Sequence, residues 1–366
     1  MQYTQIFSHV EQCELAKKQH ADGGSAPKIN HQQVLMNRRI TQAEKFAGKD
    51  LYSEQFTIPD EVFIFQKDSK MVSIINLPQK NVNHKYVDFK SNFPHNFQMI
   101  QIGNQPRVFM IGGGDFKSMP DTMFQCHELL KIPYSQDMQR FSLKFSERKK
   151  MKYPRHGHSL CAIANKYILV TGSRKEVNNS QLRVEIYDID MDDWLELSSL
   201  NMGRHYHSST NFNNQFVYVF GGILNQTKKY TNTVERLKFS RTDFNSPWER
   251  MQIDQPHLYL NPTDIISARQ GAGMCQLSPN ELLIVGGFSG RFSSDYYIMD
   301  MNKSTGNVEK VRKYERSPQG TTMFPFQVPT LGDTVKREVL SVDWQHMTMH
   351  RLQGTTFQLL LHAKPQ

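Results

Sequence analysis

The chain has 366 residues and carries 44 Lys and Arg against 35 Asp and Glu, a formal charge of +9. Its mean hydropathy is −0.58, and its longest apolar runs have five or six residues, well short of the ~18 that a membrane-spanning helix needs. Aromatic residues at 11% with 22% charged residues exclude a disordered chain, and four scattered cysteines (Cys13, Cys126, Cys161, Cys275) exclude a disulfide scaffold.

The first segment, MQYTQIFSHVEQCELAKKQH, has no apolar h-region, so no secretory signal is expected. With the cysteines read as buried thiols, this predicts a cytoplasmic protein. Residues 21–27 (ADGGSAP) form a breaker, and Val34, Leu35 and Ile40 form a helical stripe within 31–47. Residues 1–50 are therefore predicted to be a partly helical extension. The spacing of His9, Cys13, His20 and His31 matches no zinc pattern.

From residue 51 the pattern changes to short strands. Residues 61–65 and 71–75 form a leading strand pair. Four similar apolar runs ending in glycine follow: Val108 to Gly112-Gly113, Tyr167 to Gly172, Phe216 to Gly221-Gly222, and Leu282 to Gly286-Gly287. Their first glycines are 60, 49 and 65 residues apart, the spacing of propeller blades. Arg155, Arg204 and Arg269 each stand 17 residues before a first glycine, while His95 stands there in the earliest unit. His158-Ser159 and His207-Ser208 follow the first two arginines. Downstream come V-E-I-Y-D, containing Tyr187, then Trp194; and V-E-R-L, then Trp248. Residues 338–343 read as a degenerate last unit.

R-x-x-H-S, a strand ending in Gly-Gly, V-E-x-Y-D and then Trp resembles the kelch motif, strongly over 150–300. The resemblance implies an all-β, kelch-type β-propeller over 51–366, each blade having four antiparallel strands, a to d. Counting the five strand-b candidates and the leading pair favours six blades over five. Tyr187, Trp194 and Trp248 suit inter-blade packing, and the glycines suit positive φ or close approach of a neighbouring strand.

Enzyme signatures are poor. The Gly112–Ser118 segment lacks the glycine that precedes Lys in a phosphate loop, and Gly286-Gly287-Phe288-Ser289-Gly290 is not G-x-S-x-G. His156-x-His158 and His205-x-His207 put two imidazoles on one strand face, but they fall on the repeat's own histidine positions. No catalytic residue, metal or cofactor is predicted.

Charge points to a binding surface instead. Lys144, Arg148, Lys149, Lys150, Lys152 and Arg155 face only Glu147, so twelve residues carry over half of the +9. In an up-and-down blade, the d–a and b–c loops share one end. That topology would gather this run with Arg174, Lys175, Lys228, Lys229, Arg291 and the repeat arginines Arg155, Arg204 and Arg269. The expectation is a basic funnel binding an acidic or phosphorylated protein segment. The competing reading has the arginines satisfying backbone carbonyls between blades. Alternatives are a propeller-scaffold enzyme, or nucleic-acid or polyphosphate binding. Exposed aromatics would mark single-stranded nucleic acid, and their absence a peptide. A monomeric propeller with a protein partner is the favoured reading.

Overall fold

A computed structural model describes residues 61–315, except 66–68, 77, 80, 91, 103–106, 115–120, 135–140 and 241–242, together with the backbone of four strands between 326 and 362. The predicted helix within 31–47 lies outside the described residues. Among those described, the structure is all-β, with short 3-10 turns and no α-helix.

Six groups of strands follow in chain order. The first is β1 (Glu61–Phe65), β2 (Met71–Asn76) and β3 (Asn81–Asp88); the second is β4 (Gln98–Ile102), β5 (Arg107–Ile111), β6 (Cys126–Pro133) and β7 (Phe141–Arg148). The third is β8 (Ser159–Ile163), β9 (Tyr167–Thr171), β10 (Val184–Asp188) and β11 (Asp193–Leu197). The fourth holds β12 (Arg204–His205), β13 (Ser208–Phe212), β14 (Phe216–Phe220), β15 (Ile223–Leu224), β16 (Val234–Lys238) and β17 (Trp248–Met251), with β12 paired to β15 apart from the other four. The fifth is β18 (Gly273–Ser278), β19 (Glu281–Val285), β20 (Tyr296–Met301) and β21 (Val308–Tyr314). The sixth is β22 (Phe326–Val328), β23 (Glu338–Asp343), β24 (Thr348–Gln353) and β25 (Thr356–His362). Neighbours within each group pair antiparallel, whereas β3 meets β7 in parallel through Val87–Leu143 and Asp88–Lys144.

The groups stack face to face. Phe63, Phe65, Val72 and Ile74 of the first share a cluster with Val108, Met110, Leu143 and Phe145 on one face of the second. The opposite face of the second, with Phe109 and Ile111, packs on Ile168, Val170 and Tyr187 of the third. Tyr218 and Phe220 of the fourth meet Met274, Leu282 and Ile284 of the fifth. Both faces being covered explains the uninterrupted apolar runs: β9, β14 and β19 are buried at every position. Each such side chain contributes roughly 1.5–3 kcal/mol. The first strands of successive groups, β4, β8, β13, β18 and β22, stand side by side in that order.

The linkers between groups are tied to the next sheet's outer strand. Trp194 on β11 donates its indole N–H to the Lys149 carbonyl at 2.7 Å, and Trp248 on β17 donates to the Ser198 carbonyl at 3.0 Å. Tyr259 bridges Val311 of β21 in parallel. These tryptophans are thus large apolar bodies whose polar tips clamp the incoming chain.

Candidate functional site

Arg155, Arg204 and Arg269 have relative exposures of 0%, 0% and 1%. Arg155 donates to the Gly172 and Ser180 carbonyls at 3.0 Å each and to the Glu185 carboxylate. Arg204 donates to Gly221 O at 3.1 Å, to Thr233 O, and to Glu235 at 2.6 Å. Arg269 donates to Gly286 O at 2.9 Å and lies 5.3 Å from the Tyr297 ring, which occupies the register position of Glu185 and Glu235. The constant 17-residue offset is this hydrogen bond, from the guanidinium where strand a begins to the glycine carbonyl where strand b ends. These arginines brace the repeats internally. Their burial removes them from the binding surface on which the sequence had placed them.

The basic run needs the same correction. Arg148 pairs with Glu128, Lys149 with Asp193 at 2.5 Å, Lys152 with Glu196 at 2.8 Å and Arg155 with Glu185 at 3.0 Å. Because Lys149 meets Asp193 and Lys152 meets Glu196, residues 149–152 run parallel to β11 along the seam between the second and third sheets. Arg148 and Lys149 therefore lie along a seam beside carboxylates from other strands, two of which, Glu128 and Glu196, also serve Arg107 and Arg183, while Lys150 is exposed. Burial pushes the Glu128 carboxyl up, but Arg107 and Arg148 together hold it below its ordinary range, as Lys152 and Tyr153 do for Glu196.

The glycines mark where neighbouring backbones touch. Gly221 has φ +69°, and a Cβ there would stand 2.7 Å from the Arg269 carbonyl oxygen. Gly112 and Gly172 have the same relation to Arg155 and Arg204. The histidines complete the contact: His207 Nε2 shares a 2.8 Å hydrogen bond with the Thr171 hydroxyl of the preceding sheet. Burial lowers His156 and His205 to about 4, and His158 and His207 well below the ordinary value, so all four are neutral near pH 7. Among the described residues no group of three or more His, Cys, Asp or Glu is placed to hold a metal. Cys126, Cys161 and Cys275 are buried free thiols, with Cys161 pushed up to about 12.

At the end where strand a begins, a string of residues links four successive sheets. One residue per sheet, Asn96, Gly157, Tyr206 and Gly271, takes a left-handed φ of 52°, 62°, 52° and 62°. Gly157 N donates to Asn96 O, Tyr206 N to Gly157 O and Gly271 N to Tyr206 O, at 3.2, 2.7 and 2.8 Å. This register also corrects the earliest unit. Gly114 N donates to His95 O as Arg174 N does to His156 O, so His95 matches His156, and Pro94 holds the arginine position.

The b–c loops surround this string of residues. Arg174, Lys228, Lys229 and Arg291 are exposed and Lys175 is half-buried. Arg174 donates to the Tyr206 hydroxyl at 3.4 Å, which in turn donates to Asn96 Oδ1 at 3.4 Å. On the third to fifth sheets these five cations face two loop carboxylates, Glu176 and Asp295. Both are engaged, Glu176 by Lys228 at 2.6 Å and Asp295 by Lys313 at 3.8 Å. Sequence reasoning did not single out Tyr206, nor the rings Tyr230, Phe288 and Phe292. One signal was available: Tyr206 stands where the neighbouring repeats have glycine.

No helix among the described residues is long and apolar enough to cross a membrane. No curated protein matches the chain. Comparison with protein families matches residues 96–324 to the KLHDC2/KLHL20/DRC7 Kelch-repeats domain. That match spans the arginine-braced sheets, their glycine contacts and their tryptophan clamps, and the chain belongs to this kelch-repeat family.

Proposed function

We propose that residues 51–366 form a six-bladed, monomeric, non-catalytic propeller in the cytoplasm, with residues 1–50 as an extension, and that it holds an acidic segment of a partner protein on its b–c loop face. The stacking of β1–β3 on the second sheet, and their lack of a fourth strand among the described residues, support an incomplete sixth blade. The observation that carries the binding reading is the gathering on adjacent loops of four exposed cations, Arg174, Lys228, Lys229 and Arg291, and the half-buried Lys175, of which Lys228 pairs with Glu176 while Asp295 pairs with Lys313. The binding set is Arg174, Lys175, Lys228, Lys229 and Arg291, without the buried arginines. An acidic segment, phosphorylated or not, supplies the oxygens these donors match.

The rings Tyr230 and Phe292 stand exposed among these cations, so the absence of aromatics that would have set single-stranded nucleic acid aside does not hold. Their geometry favours a peptide: Tyr230 meets Phe288 at 80° and Phe288 meets Phe292 at 59°, an inclined set unlike the platform on which successive bases stack. Fluorescence anisotropy with a labelled deca-glutamate peptide and a labelled dT15 tests both. The expected result is salt-sensitive binding of the peptide, weakened by Arg174→Ala with Arg291→Ala. Peptide binding that ignores salt and both substitutions would overturn the reading, as would preferential binding of dT15.

A further inference from the structure

Among the described residues, the exposed large hydrophobics include Tyr86, Leu130, Tyr134, Leu260, Tyr230 and Phe292. Two of them, Tyr230 at 37% and Phe292 at 49%, belong to a single ladder completed by the half-buried Phe288. The ring centroids are 6.3 Å and 5.0 Å apart, so the ladder crosses from the b–c loop of the fourth sheet to that of the fifth. It is rigidly mounted. Phe288 exchanges both backbone hydrogen bonds with Gln270, at 3.0 and 2.8 Å, and bridges Phe292 across the tip. Ser293 N returns to Gly287 O at 2.9 Å.

One further feature lies beside it. Arg291 is exposed in the same tip, next to Phe292 in sequence. An apolar surface with a cation at its edge describes a receptor for one short stretch of peptide.

We infer that the Tyr230–Phe288–Phe292 ladder takes an apolar side chain of the partner segment, with an adjacent partner carboxylate on Arg291. The partner is thus a protein segment in which a large apolar residue is flanked by Asp or Glu. This rests on the acidic-segment reading above and narrows it. Charge alone would hold any polyanion. The ladder selects among them, because a preorganised aromatic site gains from an apolar residue at little ordering cost.

The test uses two labelled probes, Gly-Glu-Glu-Leu-Phe-Glu-Glu-Gly and its counterpart with Ser-Gly in place of Leu-Phe. The first should bind the full chain at least ~10-fold tighter, about 1.4 kcal/mol. Phe292→Ser and Tyr230→Ser should each reduce that preference and leave the Ser-Gly probe unchanged. Phe292→Leu should restore part of it. Equal binding of the two probes would overturn the ladder's role while the acidic reading stands. Failure of both probes to bind would overturn the two together.

Discussion

The buried Arg204–Glu235 pair offers the sharpest quantitative test of how the repeat is held. Both side chains have 0% exposure and their charged atoms are 2.6 Å apart. Glu235 also accepts the backbone N–H groups of Asn201 at 2.7 Å and Met202 at 3.2 Å, so one carboxylate fixes both the arginine and the incoming linker. Glu235→Gln keeps the shape but removes the charge and one acceptor oxygen. Breaking one side of a buried pair costs about 3–5 kcal/mol, because the remaining charge is left without its partner. Arg204→Met likewise leaves the buried Glu235 carboxylate without its cation, and it strands the Gly221 carbonyl as well, at about 1–3 kcal/mol for a buried unsatisfied group. The double substitution removes both charges, so its cost should fall short of the sum by about 2 kcal/mol or more. Urea unfolding followed by tryptophan fluorescence measures all three, since Trp194 and Trp248 sit on the seams. A Glu235→Gln loss below about 1 kcal/mol, or strict additivity in the double variant, would refute the bracing argument.

Three other outcomes follow from the same geometry. Gly221→Ala should cost about 2–4 kcal/mol, from a left-handed φ and a Cβ forced onto the Arg269 carbonyl, whereas Gly290→Ala at φ +88° meets nothing within 4 Å and should cost only about 1–2 kcal/mol. Equal losses in urea unfolding would mean that the close approach is not what selects glycine. His156, His158, His205 and His207 are neutral in the native state, but in the unfolded chain they titrate near ~6.5. The unfolded state then binds more protons below that pH, so the urea midpoint should hold above pH ~6.5 and fall steadily toward pH ~4.5; a flat profile across that window would sink the assignment. On the loop face, Arg174→Ala with Arg291→Ala should weaken the deca-glutamate probe at least ~5-fold while Lys149→Ala changes it less than ~2-fold, because Lys149 is paired along β11; the reverse order would return the binding surface to the seam.

The sequence showed most clearly what rests on contacts between fixed positions of one repeat. The Arg-to-Gly offset was visible because a single hydrogen bond spans it, and the tryptophans because each clamps one linker. The burial of those arginines was not visible. Their identity advertises charge, while the carbonyls and carboxylates that consume it come from other strands. The basic run misled for the same reason: its partners Glu128, Glu185 and Glu196 lie 20, 30 and 44 residues from Arg148, Arg155 and Lys152. The earliest unit shows how a single-residue slip hides an equivalence. Counting back from Gly112 gives His95, yet the hydrogen-bond register gives Pro94, with the left-handed residue at Asn96. The ladder was missed because Tyr230 and Phe292 carry no repeat signature; they lie within loops whose sequences differ from sheet to sheet.

Comparing the sheets with one another separates the parts that hold the fold from the parts free to recognise a partner. The third and fourth sheets have both arginine and glutamate. The fifth keeps Arg269 but has Tyr297, and the second has Pro94 with His127 at the glutamate register. So among these sheets arginine occurs without glutamate, and glutamate never occurs without arginine. The asymmetry is physical. A buried guanidinium can be satisfied by carbonyls, as Arg269 is by Gly286 O and Ser267 O, by the Ser293 hydroxyl and by a ring face. A buried carboxylate lacking its cation would be left with only backbone N–H donors against its desolvation. Two residues past each arginine position, the shared constraint is on the backbone. Asn96, Gly157, Tyr206 and Gly271 share a backbone conformation but no side-chain chemistry. Their common φ maintains the hydrogen-bonded string, and Asn96 and Tyr206 differ in side chain there, whereas at the buried Gly157 a Cβ would stand 2.8 Å from the Tyr206 ring. Recognition can therefore change at Asn96 and Tyr206 without disturbing the arginine braces a turn of chain away.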